Sequence, residues 1–355
     1  MNPYGQVGVA PVINAAGKLT ALGGSAQSAA VAQAQAAASR AHVDLAALRL
    51  AAGKRIAAAT GAEAACVTSG AAAGLAISVA AVLTGKDLRR VRRLPEVEGP
   101  NEVLLQAGHD VDFGARVSQM IRLAGGLPVV FGSLDAVAET DLTRALSDRA
   151  AAILFVKSHH CVQHGRLPLE AMVGRGIPVL VDAAAEADLG TYIAAGADLV
   201  TYSGGKAIGG PTCGFIAGRA SMIEACELQE RGIARPMKVG KEQIAGLLTA
   251  LDEPADAQAV SVVLDALHTG LAETADVRIV PDRAGREIRR VALDLPVAQL
   301  RDFVAFLRDG QPSIRTRNHQ LGEGYVLFDP REMRLDQVPT VVGRVRAFFA
   351  SQSAS

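Results

Sequence analysis

Apolar positions first follow a helical rhythm and then break into short runs. Residues 29–59 are Ala-rich at helical spacing, with a break expected at Gly53. Apolar runs at 65–68, 102–107, 128–131, 153–156, 178–181, 198–202 and 215–217 predict seven strands. Stretches 71–83, 117–123 and 140–146 between them predict helices, and 189–195 predicts a short one. Strands that alternate with helices imply crossover connections and a mostly parallel sheet covered on both faces. After residue 245 the pattern changes. Helices are expected at 264–272, 297–307 and 338–350, and strands at 290–295, 313–317 and 325–329, the last two flanking Gly322, Glu323 and Gly324. Residues 1–40 read as an arm, with turn material at 14–17 and 23–25. The expected organisation is an N-terminal arm (1–40), a large α/β domain (41–245) and a small C-terminal α+β domain (246–355).

Composition narrows the function classes. Half of the 355 residues are apolar, and 36 basic side chains balance 36 acidic ones. That balance gives no electrostatic case for nucleic acid or an anionic membrane as partner. No apolar stretch is long enough to span a bilayer, and the first residues lack the layout of a signal peptide. Cys66, Cys161, Cys213 and Cys226 are scattered and form no metal-type pair, so no metal is expected. A reduced, cytoplasmic enzyme is the expectation.

Candidate chemistry collects at strand ends, where open α/β sheets bind ligands. The run at 178–181 ends in Asp182, and the run at 198–202 ends in Ser203, followed by Gly204, Gly205 and Lys206. The 24 residues from Asp182 to Lys206 leave room for one crossover helix. Adjacent strand ends would set a carboxylate and an amine around one ligand. A desolvated lysine is a nucleophile toward aldehydes, and a carboxylate suits a protonated pyridine nitrogen. That pairing points to pyridoxal phosphate. The glycines around Lys206 allow close backbone approach and sharp turns. Ser69, Gly70 and Ala71 follow a strand and open a helix, which suits a phosphate, with Ser203 as a second donor. Taken singly, these residues also read as a helix cap, a turn aspartate and a solvated loop charge. On spacing alone both readings stand.

Longer segments carry a resemblance. VINAAGKLTALGGS (12–25), GHDVDFGARVSQMIRLAGG (108–126), KSHHCVQHGRLPL (157–169), VDAAAEADLGTYIAAGADLV (181–200), GADLVTYSGGKAIGGPTCGFIAGR (196–219) and RPMKVGKEQIAGL (235–247) resemble the selenium transferase-like group of fold-type-I pyridoxal-phosphate enzymes. They look most like its D-glucosaminate-6-phosphate ammonia-lyase branch. The resemblance covers about residues 10–250; the C-terminal domain is only loosely similar. It implies the fold-type-I transferase fold with a mostly parallel seven-stranded sheet. It implies pyridoxal 5'-phosphate held by Lys206 as a Schiff base, with Asp182 on the pyridine nitrogen. Ser69, Gly70, Ala71 and Ser203 would surround the phosphate, and His109 is the candidate ring to stack on the pyridine. His159, His160, Gln163 and His164 crowd one strand-end loop, with His159 or His164 as the candidate acid.

The implied reaction is α,β-elimination from a β-hydroxy amino acid, giving a 2-keto acid and ammonia, with D-glucosaminate 6-phosphate as a candidate substrate. Lys206 would remove the α-proton. Arg235, Arg315 and Arg317 are candidate forks for the substrate carboxylate, and strand alternation puts the last two on one face. Lys238, with Lys241, would serve a distal phosphate. Racemisation or another β-elimination keeps the same cofactor. Selenium transfer on tRNA is disfavoured by the neutral charge and by a chain that reaches the first motif by Val12. A scaffold without cofactor is disfavoured by the retained Lys206 and Asp182. A homodimer or higher homo-oligomer is expected from the fold type.

Overall fold

The computed structural model describes residues 3–158, 161, 164–253 and 256–353. After a first short strand, β1 (Ile13–Ala15), two helices start at side-chain caps. Ser28 accepts the Val31 N–H to open α1 (Ala29–Ser39), and Asp44 accepts the Ala47 N–H to open α2 (Leu45–Thr60). The helical stretch therefore breaks at 40–44 and not at Gly53, which lies within α2. A Cβ on Gly53 would sit 2.3 Å from the Ala65 carbonyl oxygen, so the glycine permits close packing of helix on strand.

The chain continues through β2 (Ala64–Thr68), α3 (Ala71–Thr84), α4 (Leu88–Arg93), β3 (Glu102–Gln106), α5 (Val117–Leu123), β4 (Leu127–Phe131), α6 (Glu139–Ala145) and β5 (Ala150–Val156). Then come β6 (Val179–Asp182), α7 (Thr191–Ala194), β7 (Leu199–Ser203), β8 (Gly214–Gly218), α8 (Ala220–Leu228) and α9 (Lys241–Asp252). The seven strands β2 to β8 form one sheet in the order β2-β8-β7-β6-β5-β3-β4. Strand β8 is antiparallel to both of its neighbours, β2 and β7, and the other pairs are parallel. The expected α/β class and strand number are observed.

Successive residues of each strand point to opposite faces, and both faces are buried. Leu104, Ile153, Val181, Val200 and Phe215 face one apolar cluster with Ile56 of α2 and Leu247 of α9. Leu105, Leu154, Leu180, Leu199 and Ile216 face the other, with Leu75 of α3, Ile121 of α5 and Ile223 of α8. Such strands read as continuous apolar runs, which is why they were visible in the sequence.

Two compact units result, Gln27–Glu253 and Met1–Ala26 together with Pro254–Ser355. The division falls at 26/27 and 253/254, where the sequence suggests 40/41 and 245/246. The second unit contains α10 (Ala257–Ala272), β9 (Val277–Pro281), β10 (Arg289–Asp294), α11 (Val297–Asp309), β11 (Ile314–Thr316), β12 (Tyr325–Phe328) and α12 (Val338–Ser353). Strands β12-β10-β9 form an antiparallel sheet, and β1 pairs with β11 in parallel. Leu267, Phe303, Val326, Phe328 and Val345 meet in its core, together with Ile13 and Ile314. Strands β11 and β12 flank the turn glycines as expected but lie in different sheets. They meet at one bridge, Arg317 with Leu327, while β11 pairs along its length with β1. Turn residues mark where a chain reverses but not which strand it joins.

Candidate functional site

Strands β6 and β7 are neighbours in register, with Asp182 opposite Thr201. The pairing runs on past the strand ends through Ala183 N–H to the Thr201 carbonyl at 3.0 Å and Ser203 N–H to the Ala184 carbonyl at 3.3 Å. Asp182 is only 7 % exposed. Its Oδ1 accepts the Ala184 N–H at 3.0 Å, and its carboxylate makes no other hydrogen bond with a described residue. Burial raises the Asp182 pKa; the Lys206 ammonium and the Ala184 N–H pull it back, and the Glu186 charge adds to the rise. Asp182 and Lys206 thus lie within electrostatic reach of each other at the same end of the sheet.

Lys206 sits on a closed glycine loop. Gly204 N–H donates to the Cys213 carbonyl at 2.9 Å, Gly210 N–H to the Gly204 carbonyl at 2.8 Å, and Gly209 N–H to the Lys206 carbonyl at 3.0 Å. Gly209 has φ +77°, and a Cβ on Gly204 would lie 2.6 Å from the Cys213 sulfur. The glycines let the loop fold back on itself, with Lys206 half-buried in its turn.

The start of α3 lies at the same sheet edge. Ser203 pairs with Gly214 of β8, and Gly214 pairs with Thr68 of β2. A Cβ on Gly214 would meet the Gly70 carbonyl carbon at 2.8 Å and the Ala71 nitrogen at 3.0 Å. No side chain caps α3, and nothing stands within 4 Å of a Cβ built on Gly70. Ser69, Gly70 and Ala71 are half-buried, and their helix end offers N–H donors to an anion.

His109 follows β3 and is fully buried. Its Nδ1 accepts the Val156 N–H at 3.1 Å, and the edge of Phe155 meets it at 5.0 Å between ring centroids. Burial, with the charges of Arg166 and Lys157, brings its pKa down to about 4. Gln106, fully buried, places its Nε2 3.4 Å from His109 Nε2 while bonding both backbone groups of Leu167 at 3.0 and 3.1 Å. Gln106 and Glu186 carried no sequence signal. Each is a single polar residue whose surroundings exist only after folding.

The remaining candidates are more dispersed. His164 is exposed on a turn; His159, His160 and Gln163 lie outside the described residues. Arg235 and Lys238 are exposed, and Arg235 lies near enough to Arg49 to lower its pKa, after burial and against the Cys66 and Glu227 charges. In the other unit Arg315 is half-buried on β11, and Arg317, just past its end, is 5 % exposed.

Known proteins match this chain in sequence and fold. Residues 179–299 match the model of the SelA family, L-seryl-tRNA selenium transferase. The chain is 42 % identical over 363 residues to D-glucosaminate-6-phosphate ammonia lyase of Salmonella typhimurium (strain 14028s / SGSC 2262), covering 97 % of both chains. It is also 42 % identical over 362 residues to 5'-C-glycyluridine monooxygenase-decarboxylase of a Streptomyces species, covering 96 % of this chain and 90 % of that one. A solved structure of D-glucosaminate-6-phosphate ammonia-lyase superposes with TM-score 0.90 at 40 % identity and full coverage of both chains. Serine palmitoyltransferase of Sphingomonas wittichii shares the fold alone, at TM-score 0.60 and 16 % identity over 97 % of this chain and 88 % of that one. The architecture is that of the fold-type-I pyridoxal-phosphate enzymes. Within that class, the chain belongs to the selenium transferase-like family that includes D-glucosaminate-6-phosphate ammonia lyase.

Proposed function

We propose that this chain is a pyridoxal-phosphate-dependent ammonia-lyase that removes the β-hydroxyl and the amine of a β-hydroxy amino acid, with D-glucosaminate 6-phosphate as the first substrate to test. The observation that carries the reading is the pairing of a buried, sparsely bonded carboxylate, Asp182, with Lys206 at adjacent strand ends. The donor set fits the cofactor. An amine suits its aldehyde, a carboxylate its ring nitrogen, and an uncapped helix start its phosphate.

Bound there, the cofactor supplies an electron sink for a carbanion next to the amine. Lys206 would hold it through its side-chain amine and, once displaced by the substrate amine, would take the α-proton. Asp182 would keep a proton on the ring nitrogen, and its small number of partners leaves its charge for that task. Ser69, Gly70, Ala71 and Ser203 would bind the phosphate, and His109 would flank the ring. Its depressed pKa keeps the imidazole neutral, which would suit a place beside a cationic ring. His159 or His164 gives a proton to the leaving hydroxyl. Arg315 and Arg317 receive the carboxylate, with Arg235 as a further fork, and Lys238 serves a distal anionic group. Loss of water leaves an enamine whose hydrolysis yields ammonia and a 2-keto acid.

We place the enzyme in the reducing cytoplasm, in keeping with four cysteines that form no disulfide. Among the described residues no helix is long and apolar enough to cross a membrane. We assign it a homodimer or higher homo-oligomer; Val43, Leu45 and Leu50 are exposed apolar side chains available to a second copy.

The purified protein is expected to be yellow, to lose the colour with borohydride, and to release ammonia and keto acid from a panel of hydroxylated amino acids. Lys206→Ala is expected to lack the colour and to lose at least about 1,000-fold in turnover. A colourless wild type that takes up no added cofactor overturns the reading. The Streptomyces relative, equally similar, supports a second reading of oxygen-dependent decarboxylation. Oxygen uptake without ammonia release would favour it, and inversion at the α-carbon without either would favour a racemase.

A further inference from the structure

The unit built from residues 1–26 and 254–353 buries a cluster of charge. Asp329 is fully buried, and Arg290, Arg317 and Asp282 are 3, 5 and 6 % exposed. Asp329 is the hub. Its carboxylate accepts Arg290 Nε at 2.7 Å, Arg331 Nε at 2.8 Å and Arg331 Nη2 at 2.7 Å. Arg290 also donates from Nη1 to Asp282 Oδ1 at 2.9 Å, and Arg286 approaches Asp282 at 3.8 Å. Two carboxylates therefore serve three guanidiniums. Arg317 lies among these charges and has no carboxylate partner among the described residues. Its guanidinium makes one long bond, 3.5 Å from Nη1 to the Ala16 carbonyl. Burial first, and then the charge of Arg290, bring its pKa down to about 10, against the pull of Asp329.

A buried cation beside further cations is costly unless something compensates it. A chain shaped for stability alone would place an apolar residue or a third carboxylate there. We propose that Asp329 and Asp282 are positioning residues: they occupy Arg290 and Arg331 so that, within this cluster, the fork of Arg317 stays available to the carboxylate or phosphate of a small-molecule ligand. This rests on the assignment of Arg317 to substrate binding.

The N-terminal motif acquires a role in the same device. Asp329 N–H donates to the Ala15 carbonyl at 2.8 Å, joining the end of β12 to β1. Asn14 then turns the chain. Its Oδ1 accepts the Ala16 N–H at 3.0 Å, and its Nδ2 donates to the Gly17 carbonyl at 3.1 Å. That turn aims the Ala16 carbonyl at Arg317. Gly17 has φ +81°, and a Cβ there would lie 2.6 Å from Asp329 Oδ2. Residues 14–17 therefore wall the hub on the side that only glycine can approach.

The test is thermal melting of the cofactor-loaded protein with added D-glycerate, which offers a carboxylate, or glycerol 3-phosphate, which offers a phosphate. The melting temperature of the wild type is expected to rise with at least one of them, and the better ligand identifies the anion. Arg317→Met is expected to lose that rise and, without ligand, to melt at or above the wild-type temperature, because an uncompensated buried cation is gone. Asp282→Asn, gentler than any change at the hub, is expected to weaken the anion about tenfold with cofactor colour unchanged. A wild type without an anion response, an Arg317→Met protein that melts lower or keeps the response, or an unchanged affinity in Asp282→Asn overturns the proposal. Cofactor colour, read in the same samples, reports separately on the lyase reading.

Discussion

Asp182 and Asp329 are both buried aspartates, one in each unit, and their environments push them in opposite directions. Burial raises Asp182, and one backbone N–H with the nearby Lys206 only partly offsets this. Burial acts on Asp329 too, but the guanidiniums of Arg331 and Arg290 override it and hold the carboxylate at about 2. A carboxylate with its lone pairs filled by two arginines is a fixed strut. A carboxylate left with one bond keeps its affinity for a proton or a cation, which a ring nitrogen can use. The number of partners, more than depth, separates a structural charge from one held for chemistry.

The comparison can be broken first at turnover. Asp182→Asn is expected to keep cofactor colour and lose roughly 100- to 1,000-fold in kcat, since it removes a charge aimed at the reacting system. Near-wild-type kcat in a steady-state assay would show that the partner of the ring nitrogen lies elsewhere. The next effect is on stability. Asp329→Asn takes the carboxylate from the buried guanidinium of Arg290 and the half-buried one of Arg331, at a cost of roughly 3 kcal/mol in denaturant unfolding. Because the folded pKa of Asp329 lies below its ordinary 3.8, its contribution is complete above about pH 4. The gap to wild type should close as the pH falls through about 2. A gap that persists in acid would assign the cost to packing. The smallest effect has the opposite sign. The pKa of Asp182 is raised, so its ionised form weakens the cofactor-free fold at neutral pH. Cofactor-free Asp182→Asn should therefore unfold about 1 kcal/mol harder than cofactor-free wild type at pH 7, and the advantage should vanish in acid, where Asp182 is protonated anyway. A loss of stability at neutral pH would make Asp182 a strut like Asp329.

How much of this was legible differs between the two units. Asp182 and Lys206 stood out because both follow apolar runs buried on two faces, and such runs announce strand ends without knowledge of neighbours. The glycines around Lys206 were equally visible, since their loop closes on itself through the bonds of Gly204, Gly209 and Gly210. Gly53 misled because an isolated glycine in a helical stretch reads as a break, whereas its cause is the carbonyl of Ala65 on a strand beyond the helix. Of the network around Asp329 only Arg317 stood out, through its alternation with Arg315; the others, at positions 282, 290, 329 and 331, look like ordinary surface charges in the sequence.

Local order along the chain determined the alternation of strands and helices, the seven-stranded sheet and the two residues at its carboxyl edge. These depend on periodicity and on neighbours a few positions away. Tertiary structure decided what β1 and β11 do with each other across some 300 residues, which arginine is left without a carboxylate, and which aspartate has its bonds filled. Those outcomes depend on burial and on partners brought in from distant parts of the chain, and desolvation has no value until the fold has excluded the water.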